Sequence, residues 1–353
     1  MQYGKLQVEE GSLLFSRKLK NITLSVQDVL WVYRSKVDCS KIEEDTQDEP
    51  VESFQLVLFT KTKKKYIFDM SEEDTLLCMK KLKELNPGLI TGYPKGAQIP
   101  LLSLSNTRDL GALRTEDGKR IIPHRLLRSG ELYHVSQEDQ LTLLQEYNLK
   151  TVIDLRTQAE REQKPDTQMD GVQYIHNPIF DDEALGITRE KSIFDILSDF
   201  QSTQSFDMMD LYEQLVTDKY CKNHYANFFQ NLTEHTEGAI LWHCSAGKDR
   251  AGIATMLLLS ALGVPKGAII DDFMRTNIFL EPEMQYFVRK MQDENESPEN
   301  IEKMLPLFQV RESYIQQVYR IIEQEYGTID AYLKKEMCLT PKALEILKDS
   351  FLI

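Results

Sequence analysis

The chain has 353 residues, 41% of them hydrophobic and 28% charged. That composition excludes wholesale disorder and fits one large domain or two ordinary ones. The formal net charge of −14 excludes nucleic acid as a general partner, and any anionic substrate needs a local positive pocket.

Residues 1–92 read as a β-rich accessory domain. Leu13-Leu14-Phe15, Ile22 to Val26, Val29 to Tyr33 and Phe54 to Phe59 are short aliphatic and aromatic runs, as strands require. Cys39 to Ser53 is acidic and polar, and reads as a long loop. Thr60 to Lys64 reads as a hairpin tip. Its Lys61, Lys63 and Lys64, with Lys65, suit a solvated turn, with peripheral contact to anionic lipid heads as the second reading. Ser71 followed by Glu72-Glu73-Asp74 predicts a helix start, with Leu76, Leu77, Met79 and Leu82 as its apolar face and Asn86-Pro87-Gly88 as its stop. Strands followed by one terminal helix resemble a small pleckstrin-homology-like barrel.

Tyr93 to Pro100 predicts a linker, after which strands alternate with helices. Thr151 to Leu155 and Val172 to Ile175 read as buried strands. Gly238 to His243 is a continuous apolar run, as expected at the centre of a parallel sheet. It leads into Arg250–Leu262, a helix apolar on nearly every side that Gly263 and Pro265 end. This is an α/β pattern. From Lys266 onward the pattern is helical almost to the end.

Between that strand and that helix stands His243-Cys244-Ser245-Ala246-Gly247-Lys248-Asp249-Arg250. A cysteine alone after an apolar strand is usually core. Here a Cys and an Arg flank five residues at a helix start, which is what phosphoryl transfer to a thiol requires. A helix N-terminus favours the thiolate. Backbone N–H groups of Ser245, Ala246, Gly247 and Lys248 can point at phosphate oxygens. The Arg250 fork grips two oxygens on which transition-state charge resides. Cys244 is thus the candidate nucleophile and Arg250 the clamp, with Ser245, Ala246, Gly247 and Lys248 as the substrate-binding loop.

This loop resembles the Cys-x5-Arg signature of protein tyrosine phosphatases. It is most similar to a bacterial tyrosine and lipid phosphatase-like family whose loop reads Cys-x-x-Gly-Lys-Asp-Arg. Asn106-Thr107-Arg108-Asp109-Leu110-Gly111, Arg128-Ser129-Gly130, Asp154-Leu155-Arg156, Glu160 and the tail from Tyr326 to Leu333 continue the match, over roughly residues 98–353. The resemblance implies a mostly parallel sheet flanked by helices, the site at the carboxyl ends of the strands, and phosphomonoester hydrolysis without a metal or other cofactor. It covers none of residues 1–95. Such families place Thr or Ser after the Arg, where this chain has Ala251.

A leaving alkoxide or phenolate needs a proton. Asn177-Pro178-Ile179-Phe180-Asp181-Asp182 resembles the acid loop of dual-specificity enzymes, which points to Asp181, with Asp182 in reserve and Asp249 as rival; a solvated turn is the plain alternative. His243 reads as a brace for the loop or a core histidine. Arg108 is a candidate for substrate contact, or with Asp109 a brace through an ion pair. Asp154 and Arg156 lie at a strand's carboxyl end, where ligands bind in such sheets. Phe194, Ile196, Leu197 and Phe200 read as one helix of an insert, either a lid or a packed layer.

The expected function is hydrolysis of phosphotyrosine proteins or phosphoinositides through a phosphocysteine. A weakly catalytic pseudophosphatase that binds phosphorylated partners is the alternative, because of Ala251. A sulfurtransferase also presents a Cys in an anion-binding loop, but the Cys-to-Arg spacing argues against it. No signal peptide or membrane span is read, and Cys39, Cys78, Cys221, Cys244 and Cys338 show no zinc or disulfide spacing, so a reducing cytoplasm is expected.

Overall fold

The computed structural model describes residues 1–17, 20–37, 53–181, 208–293, 295–305 and 308–353. The predicted acidic loop from Cys39, except its last residue Ser53, and Asp182 and the predicted helix at Phe194 to Phe200 lie outside these residues. The chain divides into two compact units, Met1–Pro94 and Lys95–Leu352.

In the first unit, strands β1 (Gln2–Tyr3), β2 (Leu6–Glu9), β3 (Ser12–Arg17) and β4 (Lys20–Ser25) form an antiparallel sheet in sequence order. A second sheet holds β5 (Val29–Val37), β6 (Ser53–Thr60) and β7 (Lys65–Met70) antiparallel, with the short β8 (Ile90–Thr91) parallel to β5. Helix α1 (Glu72–Leu85) follows. Its N-cap is Ser71, whose hydroxyl accepts from the Asp74 N–H. The helix buries Thr75, Cys78 and Leu82, while Leu76 and Leu77 are about half exposed. The predicted apolar face is therefore displaced: the small Thr75 and Cys78 sit where bulky side chains were expected. Asn86 ends the helix and its side-chain amide donates to the carbonyls of Val26 and Val29, so the stop residue also ties helix to strands.

The second unit is built on a five-stranded sheet of order β12-β11-β13-β10-β9. The strands are β9 (Arg108–Asp109), β10 (Leu126–Ser129), β11 (Leu149–Asp154), β12 (Gln173–His176) and β13 (Ala239–His243). All neighbours are parallel except the edge pair β9 and β10. Strand β13 is central and every residue of it is buried. Its side chains alternate between two cores, Ile240 and Trp242 on one face, Ala239 and Leu241 on the other. That is why the run reads as continuously apolar: helices or loops cover both faces.

Helices α2 (Gln137–Leu141) and α3 (Gln158–Gln163) follow β10 and β11 respectively. On the Trp242 face pack α4 (Met208–Thr217), α5 (Lys219–Glu234), α6 (Arg250–Leu262) and α7 (Lys266–Phe279). Helices α8 (Glu281–Asp293), α9 (Pro298–Met304), α10 (Glu312–Tyr326), α11 (Ile329–Glu336) and α12 (Pro341–Phe351) complete the unit. Helices α4 and α5 bury Tyr212, Leu215, Tyr225, Phe228, Phe229 and Leu232, so this part of the insert is a packed layer. Helix α6 spans the predicted residues, and Gly263 closes it in the left-handed region at φ +82°. Among the described residues no helix is long and apolar enough to cross a membrane.

Candidate active site

Three parallel strands end side by side. His243 of β13 pairs with Ser129 of β10 and with Asp154 of β11, which brings the carboxyl ends of the sheet to one place. The chain leaves β13 at Cys244 and re-enters regular structure at Arg250, so the loop between them sits over those ends.

The loop's shape is fixed from outside. The carbonyl of Ser245 accepts from the Glu131 N–H at 3.0 Å, that of Ala246 from the Asn106 side-chain amide at 2.9 Å, and that of Gly247 from Arg128 Nη2 at 2.7 Å. With these three carbonyls turned outward, the N–H groups from Ser245 to Asp249 make no hydrogen bond among the described residues. Unpaired N–H groups in a turn before a helix form an anion cradle. Gly247 has φ +68°, and a Cβ there would lie 2.2 Å from the Ser129 carbonyl oxygen. Only glycine fits.

Cys244 is 2% exposed. Arg250 meets Glu160 as a two-pronged pair, Nη1 to Oε2 at 2.6 Å and Nη2 to Oε1 at 2.8 Å. Glu160 also accepts from the Ser245 hydroxyl at 2.5 Å and, through a capping box, from the Thr157 N–H. Burial pushes the Glu160 carboxyl up. The Arg250 charge and these hydrogen bonds outweigh burial and hold it down at about 2. Burial lowers the Arg250 guanidinium while Glu160 raises it, and the net direction is up. Glu160 belongs to the resemblance, but sequence reasoning assigned it no role. Its signal lay in Thr157-Gln158-Ala159-Glu160, a capping-box spacing.

Lys248 is 4% exposed and its ammonium sits against both Asp249 oxygens, at 3.0 and 2.9 Å. Tyr212 donates to Asp249 Oδ1 at 2.6 Å. Asp181 is exposed at the end of Asn177-Pro178-Ile179-Phe180.

Behind the loop lie two fully buried arginines. Arg108 donates from Nε to Asp272 Oδ1 at 2.9 Å, and its remaining nitrogens reach the Asp272 carbonyl, Thr276 and Asn106. Arg128 Nη1 donates to Asp272 Oδ2 at 2.9 Å. Arg108, the candidate for substrate contact, is thus bonded to Asp272 as part of this brace, and Asp109 is not its partner. Asp109 accepts instead from the N–H groups of Gly111 and His124, and burial pushes its carboxyl up to about 7. Asp272 carried no local signal in the sequence, since it stands inside a helical pattern.

His243 is buried, with Nε2 3.0 Å from Asp166 Oδ2 and Nδ1 3.2 Å from the Cys244 carbonyl oxygen. Burial lowers its pKa, but Asp154 and Asp166 raise it further. Asp154, Asp166 and His243 lie within ligand distance of one another. The Arg156 guanidinium already bonds both carboxylates, at 2.8 and 2.7 Å, so this is a charge network and not a cation site.

A family model described as tyrosine phosphatase family matches residues 99–353, and the chain belongs to that family. A Cupriavidus necator protein, provisionally named a tyrosine-protein phosphatase, is 29% identical over 66% of this chain and 81% of its own length. A tyrosine-protein phosphatase of Nostoc commune is 28% identical, but the chain spans only 56% of that protein. The triple specificity protein phosphatase PtpB of Mycobacterium tuberculosis is 26% identical over 60% of this chain and 85% of its own.

Proposed function

We propose that the protein hydrolyses phosphomonoesters, phosphotyrosine proteins first among them, through a phosphocysteine at Cys244. The supporting observation is the loop itself: Cys244 and Arg250 bracket five residues whose outward carbonyls are occupied and whose N–H groups are not. In the first step Cys244 Sγ attacks phosphorus and the ester P–O bond breaks. Arg250 and the loop N–H groups carry the equatorial charge. The leaving oxygen takes its proton from Asp249. In the second step water attacks phosphocysteine, Asp249 recovers a proton, and sulfur leaves as thiolate.

The proton role goes to Asp249 rather than to Asp181 because Asp249 stands in the loop beside Arg250 and Tyr212 fixes its carboxylate. Arg108, Arg128 and Asp272 are assigned to bracing. Lys248 supports phosphoinositides as second substrates: a further phosphate offers its ammonium a new partner. Ala251 supports the rival reading of a slow enzyme that acts mainly by binding.

For the first unit we infer a pleckstrin-homology-like role, on the grounds of its two sheets and the following helix α1. Lys61, Lys63, Lys64 and Lys65 at its β6–β7 turn are the residues assigned to peripheral membrane contact. A reducing cytoplasm suits a free nucleophilic thiol.

Assay with an aryl phosphate, a phosphotyrosine peptide and a phosphoinositide tests the reading. Steady turnover that Cys244→Ser abolishes supports it; tight binding without turnover favours the binding module.

A further inference from the structure

We infer that Tyr212 is a positioning residue for the proton-transferring carboxylate of Asp249. This rests on the role given to Asp249 above.

Asp249 occupies the N-cap position of helix α6, yet its side chain makes no capping bond to that helix. Its carboxylate is held from elsewhere, by Lys248 and by Tyr212. Arg250 adds its charge nearby. Tyr212 comes from α4, is fully buried, and is locked as a ring. It stacks on Tyr314 of α10 at 5.0 Å and meets Phe273 of α7 edge-on at 6.0 Å. Three helices therefore set where its hydroxyl lies, independently of Asp249. Burial and then the Asp249 charge push the phenol well above its ordinary value, so Oη keeps its proton and donates.

The two holders of Asp249 respond differently to substrate. Lys248 is a cation and is drawn to a dianionic phosphate entering the loop. Its grip on Asp249 then weakens. Tyr212 is neutral and is not drawn away. It keeps Oδ1 occupied, which leaves Oδ2 as the oxygen that exchanges its proton with the leaving group. The Tyr212 bond thus turns a mobile carboxyl into one with a fixed working oxygen.

The experiment uses the full chain as wild type, Tyr212→Phe, Asp249→Asn and the double variant, on an activated aryl phosphate and on an alkyl phosphate with a poor leaving group. Phe keeps the ring packing and removes only the donor. The expected result for Tyr212→Phe is a fall in kcat of about 10-fold on the alkyl phosphate, with little change in KM or on the aryl phosphate. Added to Asp249→Asn, it should cost nothing further. Equal losses on both substrates, or a full extra loss in the double variant, would reduce Tyr212 to packing and overturn the inference. Absence of leaving-group selectivity in Asp249→Asn would overturn the Asp249 role first, and the inference with it. Should Tyr212→Phe fold poorly, 3-fluorotyrosine at position 212 keeps the ring and alters the donor; an unchanged rate on the alkyl phosphate would then count against the inference.

Discussion

Arg250 and Glu160 stand 90 residues apart in the chain and meet as a bidentate ion pair with both contacts under 3 Å. Each has a second tether. The Arg250 carbonyl accepts from Tyr225 Oη at 3.1 Å, and Glu160 takes the Ser245 hydroxyl. The clamp is thereby held in place by the protein's own groups.

Glu160→Gln should therefore damage catalysis without touching the nucleophile. A hydrogen bond to a charged group contributes about 1.5–3 kcal/mol, which corresponds to a fall in kcat/KM of roughly 10- to 150-fold. The measurement is steady-state kinetics with an aryl phosphate. A variant with wild-type kcat/KM would remove Glu160 from the account.

The same pair predicts acid sensitivity. The Glu160 carboxyl falls from 4.5 to about 2 in the folded chain. Since the folded value is the lower, the ionised group stabilises the fold above about 4.5, and that contribution is lost as pH drops toward 2. Asp154, held at about 2 because His243 and Arg156 outweigh its burial, acts in the same window and direction. Urea midpoints should fall most steeply between about pH 4.5 and about pH 2, and less steeply in Glu160→Gln.

Asp272 neutralises one of two buried arginines. Asp272→Asn leaves both Arg108 and Arg128 without a counter-charge, and breaking a buried pair costs about 3–5 kcal/mol. Chemical denaturation should show a loss of that size, together with weaker binding of phosphate analogues as the Arg128 tether on the Gly247 carbonyl loosens. A loss well under 1 kcal/mol would mean that the brace is not needed.

Ala251 bears on the second step. A hydroxyl after Arg250 would support the sulfur as charge returns to it, and Ser245 is the nearest substitute in sequence. In the structure the Ser245 hydroxyl donates to Glu160, so its proton is engaged elsewhere. Dephosphorylation should limit turnover, with a burst of released alcohol before a slow steady rate. Ala251→Thr should raise the steady rate by about 10- to 100-fold and leave the burst nearly unchanged. Ala251 is fully buried, so a thermal melt of the variant should accompany the kinetics. No burst in wild type and no gain in a folded variant would leave Ala251 as a packing choice.

Much of the site was legible because it is local. Strand β13, the loop and helix α6 are contiguous, and each announces itself: a run buried on both faces, a Cys-x5-Arg spacing, and a helix apolar all round. What surrounds the loop was not legible. Tyr212, Asp166 and Asp272 reach it only through the sheet order and helix packing, and the capping-box spacing that marks Glu160 points to Thr157, not to its distant partner Arg250. The apolar face of α1 was misplaced for a related reason: Thr75 and Cys78 read as small or polar, and only the packed sheet shows that they face inward. Arg108 read as a substrate contact or as a brace paired with its neighbour Asp109; its actual counter-ion, Asp272, is 164 residues away and nothing local points to it.

The most direct test of the central claim is to trap the intermediate. The full chain is mixed rapidly with a phosphotyrosine peptide, quenched in acid within the burst, digested and analysed by mass spectrometry. The account predicts a phosphate adduct on the peptide containing Cys244, absent from Cys244→Ser, which should still bind vanadate. Hydrolysis by Cys244→Ser at the wild-type rate, or an adduct on any other residue, would contradict it.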